Sequence, residues 1–156
     1  MRHALLTLLA VTSLAAVLTL NACTECQEFI GTTTVENPAE ETPEWVIEQA
    51  IVAAMQEDTD DGWKIIRPLL HSKITGSAGA ESSFRTLNFE SFHRKWKLYT
   101  VGDDSKPIFE IDKRDTDDRG NLRIFVLNEG SDMPTPCRLN KDPAQGGKWR
   151  IAMCSL

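Results

Sequence analysis

The spacing of apolar residues changes once along this chain, near Gly102, and that change limits the available folds more than any other feature. Before it, apolar positions recur every three to four residues, as on one face of a helix. After it they alternate, as on a half-buried strand. A helical half followed by a strand half predicts an α+β domain, with helices on one face of an antiparallel sheet.

Thr42-Pro43-Glu44 reads as a helix start, with a capping hydroxyl, a proline at the first helical position and an anion near the positive end of the dipole. Behind it Ile47, Ala50, Ile51, Ala54 and Met55 fall on one face, and Glu48, Gln49, Gln56 and Glu57 on the other. Asp58 to Gly62 interrupts the pattern. Trp63 to Leu70 then reads as a shorter helix bent near Pro68, and Asn88 to Tyr99 as a third helix that aligns Phe89, Phe92, Trp96 and Tyr99. Ser72 to Ser83, rich in Gly, Ser and Ala, reads as a mobile loop.

In the strand half, Ile108 to Asp112 and Leu122 to Leu127 flank a turn that ends in Gly120-Asn121, so they predict a hairpin. Cys137 to Leu139 and Trp149 to Cys154 flank Asp142 to Gly147 and predict a second one. Pairing Asn140 with Ile151 sets Lys141 opposite Arg150 and Cys137 opposite Cys154, the placement that a cross-strand disulfide requires. Two separate buried thiols are the alternative.

The chain begins Met1-Arg2-His3, continues with 17 uncharged residues from Ala4 to Leu20, and then reads Leu20-Asn21-Ala22-Cys23. One basic residue ahead of an apolar stretch that ends in small residues is the layout of a secretory signal. The alternatives are simple secretion and a retained spanning helix, for which the stretch is short and lacks a basic flank, since Glu25 and Glu28 follow. The Leu-x-Ala-Cys ending resembles the lipobox of bacterial lipoproteins, although Asn21 departs from the usual residue at its position. The resemblance implies cleavage before Cys23 and lipidation of its thiol, giving a cell-envelope protein tethered by acyl chains. Thr24, where retained inner-membrane lipoproteins of enteric bacteria carry Asp, implies outer-membrane sorting in a host with two membranes, facing the periplasm or the surface.

On this reading residues 1–22 are a signal peptide, 23–41 an acidic flexible tether and 42–156 one domain of 115 residues. The segment from Thr24 to Thr42 has only Phe29, Ile30 and Val35 as sizeable apolar residues, too little to offset the entropy of ordering. About 20 residues of coil give a root-mean-square reach of about 25 Å. The mature chain would hold 16 Lys plus Arg against 23 Asp plus Glu, a net charge of −7. That charge repels phosphate backbones and anionic head groups, which argues against a nucleic-acid partner and leaves membrane contact to the lipid.

Helices, then an antiparallel sheet, closing on Gly147-Lys148-Trp149-Arg150-Ile151, resemble the nuclear transport factor two-like superfamily. The resemblance implies a curved, cone-like sheet. Members include ketosteroid isomerases, polyketide cyclases and non-catalytic binding domains, and many dimerise through the sheet, so a homodimer is among the implied states. Fold alone does not select among these functions.

Reactive groupings are sparse. Asp58 to Gly62 and Asp115 to Gly120 look like calcium loops, but their twelfth positions are Pro68 and Val126 where a bidentate Glu is needed. A helix start and a hairpin turn explain them as well. Cys23-Thr24-Glu25-Cys26 has redox or half-zinc spacing, yet lipidation consumes one sulfur and no second pair follows, so Cys26 is left as an odd thiol. An isomerase-type pocket would draw on Tyr99, His93 and Asp112, near the passage from helices to sheet. No metal or cofactor is expected. The sequence reading is a lipid-anchored, non-catalytic binding or assembly module whose partner is an envelope protein or a small apolar ligand. A small-molecule isomerase or cyclase is its alternative.

Overall fold

The computed structural model describes residues 31–156. The α+β expectation holds: the helices lie between strand β1 and the other four strands in the chain and pack on one face of an open five-stranded antiparallel sheet of order β1-β2-β3-β4-β5.

Helix α1 (Pro43–Ala54) starts as its sequence dictates, with the Thr42 hydroxyl accepting the Trp45 N–H at 3.2 Å. Such a cap contributes about 1 kcal/mol. Val46, Ile47, Ala50, Ile51, Ala53 and Ala54 are buried. Glu48, expected on the wet face, is buried too, because the segment leading into the helix lies over it with Glu36 and Asn37. Helix α2 (Thr59–Ile66) begins earlier than expected, since the Asp58 carboxylate accepts the Asp60 and Asp61 N–H groups at 2.7 and 3.2 Å. Gly62 is required where α2 meets α1: a Cβ there would stand 2.3 Å from the Ala53 carbonyl oxygen.

The expected loop at 72–83 is instead two short helices, α3 (Ser72–Thr75) and α4 (Ala78–Ser83). Both are too short to show a period in the sequence, and each is started by a side-chain cap, from His71 and from Ser77. Helical backbone then continues through a widened turn at Phe84–Phe89 into α5 (Glu90–Lys95). In a regular helix, residues five apart point about 140° away from each other. The wider turn reduces that angle, and both Phe84 and Phe89 reach the core. Asn88, expected as the start of the third helix, therefore lies inside helical backbone. Its Nδ2 donates to the Cys154 carbonyl at 3.2 Å instead.

Strand β1 (Thr33–Val35) pairs with the edge of β2 (Phe109–Thr116), Thr33 opposite Ile111 and Val35 opposite Phe109. The tether boundary at residue 41 is thus corrected, because Val35 is buried and ordering is offset by sheet pairing. Strands β3 (Leu122–Asn128), β4 (Ser131–Asp142) and β5 (Lys148–Cys154) continue the sheet as a meander.

Two irregularities keep the apolar set inward. In β2 the register shifts between Ile111 and Lys113, so Ile111 faces the core opposite Val126 while Lys113 stands beside Phe125 on the other side. Between β4 and β5, Cys137 lies opposite Cys154 as expected, but Leu139 pairs with Ile151 and Asn140 with Arg150. The expected pairs of Asn140 with Ile151 and Lys141 with Arg150 are corrected by one residue. An unbroken ladder would turn Ile151 outward, and the bulge turns it in, where it is buried with Leu139.

Candidate functional site

Cys137 and Cys154 form a disulfide across β4 and β5, both buried on the helix side of the sheet. Cys23, Cys26 and the signal segment lie outside the described residues. No helix among the described residues is long and apolar enough to cross a membrane.

The three candidate acid-base residues are placed apart. Tyr99 is buried edge-on against Phe92, with ring centroids 5.6 Å apart, and its hydroxyl oxygen accepts from Thr135 Oγ1 at 3.4 Å. His93 Nε2 donates to the Gln56 carbonyl at 2.8 Å and its ring packs on Phe89. Asp112 occupies the shifted position of β2. No hydrogen bond joins any two of them among the described residues. Asp58 and Asp117 act locally, the first as the α2 cap and the second closing the β2–β3 turn by accepting from the Arg119 and Asn121 N–H groups. Among the described residues no group of three or more His, Cys, Asp or Glu is placed to hold a metal ion.

The core between helices and sheet is filled: its void, lined by Ala50, Ile66, Phe84, Phe89, Phe92 and Ile151 among others, measures about 10 Å³, room for no more than one water. A larger cleft of about 210 Å³ opens where Tyr99 and its neighbours Leu98 to Val101 meet Glu110, Leu127 and Asn128 of the sheet.

One polar cluster escaped the sequence reading. Asp142 is fully buried, and each carboxylate oxygen accepts two hydrogen bonds. Ser72 Oγ and Ala144 N–H reach Oδ1, both at 3.0 Å, and Ser72 N–H and Gln145 Nε2 reach Oδ2 at 2.7 and 3.1 Å. Burial pushes the Asp142 carboxyl up, but the donors from Ser72 and Ala144, with His71 nearby, outweigh it and hold the carboxyl below its ordinary range. His71 Nδ1 accepts the Lys73 N–H at 3.1 Å, and Ser72 Oγ donates to Asp142 rather than to His71. The cluster is a clasp rather than a nucleophile relay. It joins α3 to the β4–β5 turn beside the His71 N–H bond to the Ile151 carbonyl at 2.9 Å. The sequence signal was Asp142-Pro143, an Asp ahead of a turn, which shows a cap without showing the second element that it serves.

A second carboxylate with a displaced pKa is Glu48, raised by burial against weaker lowering from Gln49 and the Asn37 backbone. It lines a cleft of about 130 Å³ with Glu36, Asn37, Lys106, Pro107 and Ile108, where Lys106 pairs with Glu36 at 3.7 Å.

On the side away from the helices, the sheet carries an open groove of about 160 Å³ lined by Arg123, Phe125, Pro136, Arg138, Met153 and Ser155. Period-two alternation in β3 and β4 was the available signal, since the residues between the buried Ile124, Val126, Cys137 and Leu139 are the ones that line it.

No protein-family model matches this chain, and neither a curated protein nor a solved structure matches it significantly.

Proposed function

We propose that this chain is a cell-envelope lipoprotein, anchored through lipid on Cys23, whose domain is a non-catalytic binding or assembly module for another envelope protein. The observation that carries the module reading is that the core void is only about 10 Å³ while the larger clefts are open at the surface, one of about 210 Å³ beside Tyr99 and one of about 160 Å³ on the outer sheet face. Ligand sites for small molecules are concave and several hundred Å³ in size, whereas protein partners use exposed faces. A small apolar ligand between helices and sheet would have to displace Phe89 or Phe92, so the surface partner is preferred over it. The Gly147-to-Ile151 pattern on β5, behind a helical first half, supports a nuclear transport factor two-like relationship in outline.

Export is supported by the signal-like leader and by the Cys137–Cys154 bridge, since disulfides persist in oxidising compartments. With β1 beginning at Thr33, nine residues separate it from Cys23. A chain of that length spans at most about 36 Å when fully extended, which bounds how far the β1 edge stands from the anchor. Palmitate labelling of cells that express the chain and its Cys23→Ala variant tests the anchor. Label on the parent and none on the variant is expected. Equal labelling, or a product that retains residues 1–22, would refute it.

A further inference from the structure

Register alone aligns the outer sheet face into two rows. Asp115, Arg123, Arg138 and Met153 lie across from one another in the first, and Lys113, Phe125 and Pro136 in the second. Directly opposed residues bring their side chains together, and like charges there are destabilising. Arg123 and Arg138 are such a pair. Asp115 pairs with Arg123, but no carboxylate among the described residues pairs with Arg138. Lys113 adds a third cation, its Nζ 4.7 Å from the centre of the Phe125 ring. Three cations and one carboxylate thus occupy these two rows, with Glu110 farther along β2 on the same side, in a chain whose net charge is −6, and apolar walls from Phe125, Pro136 and Met153 run between them.

We infer that this face receives an extended acidic segment of the partner protein, with a carboxylate on Arg138 beside Arg123 and a neighbouring apolar side chain in the groove. This inference rests on the reading of the domain as a binding module and names the chemistry of its partner. A carboxylate at Arg138 relieves the opposed guanidiniums and gains charge-assisted hydrogen bonds, in which arginine presents a planar fork of donors. A second copy docked face to face would set the same cations against each other. A broad anionic surface, whether bilayer or nucleic acid, meets the net negative field of the whole chain, while a short segment meets only this patch.

The test uses the full chain in detergent, non-reduced, and a labelled peptide alternating glutamate and leucine, read by fluorescence anisotropy. Saturable binding is expected that weakens with salt, that is about tenfold weaker in Arg138→Glu, and that a lysine–leucine peptide does not reproduce. Arg138→Glu sets a carboxylate opposite Arg123, a favourable cross-strand pair, so this variant folds. Met153→Ser, which opens the apolar wall, weakens binding a few-fold. Equal affinity for the two peptides, or for Arg138→Glu and the parent, overturns the inference. So does a parent dimer that Arg138→Glu dissociates, or patch-dependent binding of the Cys23→Ala chain to phosphatidylglycerol vesicles that the acidic peptide does not displace. A photo-cross-linker placed at position 153 in cells separates the two levels. A cross-link to an envelope protein alongside a failed peptide refutes only the acidic chemistry, and no cross-link from this or any other exposed position refutes the module reading as well.

Discussion

Replacing Asp142 should do more damage than any other single surface-polar or buried-polar change in the β4–β5 hairpin. In Asp142→Ala four donors lose their acceptor. The Ala144 N–H lies at an exposed turn and can turn to water, and Gln145 Nε2 keeps its bond to the Leu70 carbonyl at 3.0 Å. The Ser72 N–H and hydroxyl, on a half-buried residue, both lose their partner. Hydrogen bonds to a charged group contribute about 1.5–3 kcal/mol each, and a buried orphan donor costs about 1–3 kcal/mol, so a loss of about 3–4 kcal/mol is expected. Against a total of about 5–15 kcal/mol this is large, equivalent to a fall in Tm of about 10–15 °C. Asp142→Asn keeps one carbonyl oxygen but turns an NH2 group toward the remaining donors, and should cost about 2–3 kcal/mol. Urea unfolding of the non-reduced chain, followed by tryptophan fluorescence and circular dichroism together, measures both changes. The pH dependence adds a sign. A folded pKa below the unfolded value of about 3.9 means that the unfolded chain binds more protons, so the stabilisation is present above that value and is lost as pH falls toward the folded one. Asp142→Asn should lack this acid-limb loss. A change under 1 kcal/mol in Asp142→Ala, or parallel acid limbs in parent and Asn variant, would refute the clasp.

Glu48 carries the opposite sign: its folded pKa is raised by burial, so the ionised form opposes folding and stability falls as pH rises through the window from the unfolded to the folded value. Glu48→Gln should be more stable than the parent at neutral pH and lose that advantage under acid, which paired thermal melts at the two pH values would show. Gly62→Ala drives a Cβ onto the Ala53 carbonyl and the Phe89 ring and should cost about 2–3 kcal/mol by chemical denaturation, with neutral behaviour counting against the packing of α2 on α1. Cys137→Ala with Cys154→Ala opens a link between residues 17 apart, and equilibrium unfolding should register a loss of about 3 kcal/mol, matched by reduction of the parent.

The elements that could be read directly are those whose cause lies within a few residues. Thr42 and Pro43 start α1, Asp117 lies in the expected β2–β3 turn, and the two cysteines face each other across a predicted hairpin. Each depends on contacts between near neighbours or on a simple two-residue alternation. The misreadings share the opposite property. The α3 and α4 helices are too short to show a period, and α3 is held by a carboxylate 70 residues away. The three acid-base candidates were grouped by position in the sequence, and the folded chain gives His93 and Tyr99 separate partners and places Asp112 at the β2 bulge.

By itself, then, the sequence determined a helical half followed by two hairpins, the start of α1, the cysteine pairing and the signal-like leader, because caps, turns and apolar periods act over one turn or one strand pair. Only the tertiary structure decided that Thr33–Val35 joins the sheet, that Glu48 and Asp142 are buried, that two bulges rotate Ile111 and Ile151 inward, and that Arg123 and Arg138 stand together on the outer face. Those outcomes are set by which distant segments cover or pair with a residue, and a position along the chain does not encode its neighbours across the sheet until the register is fixed.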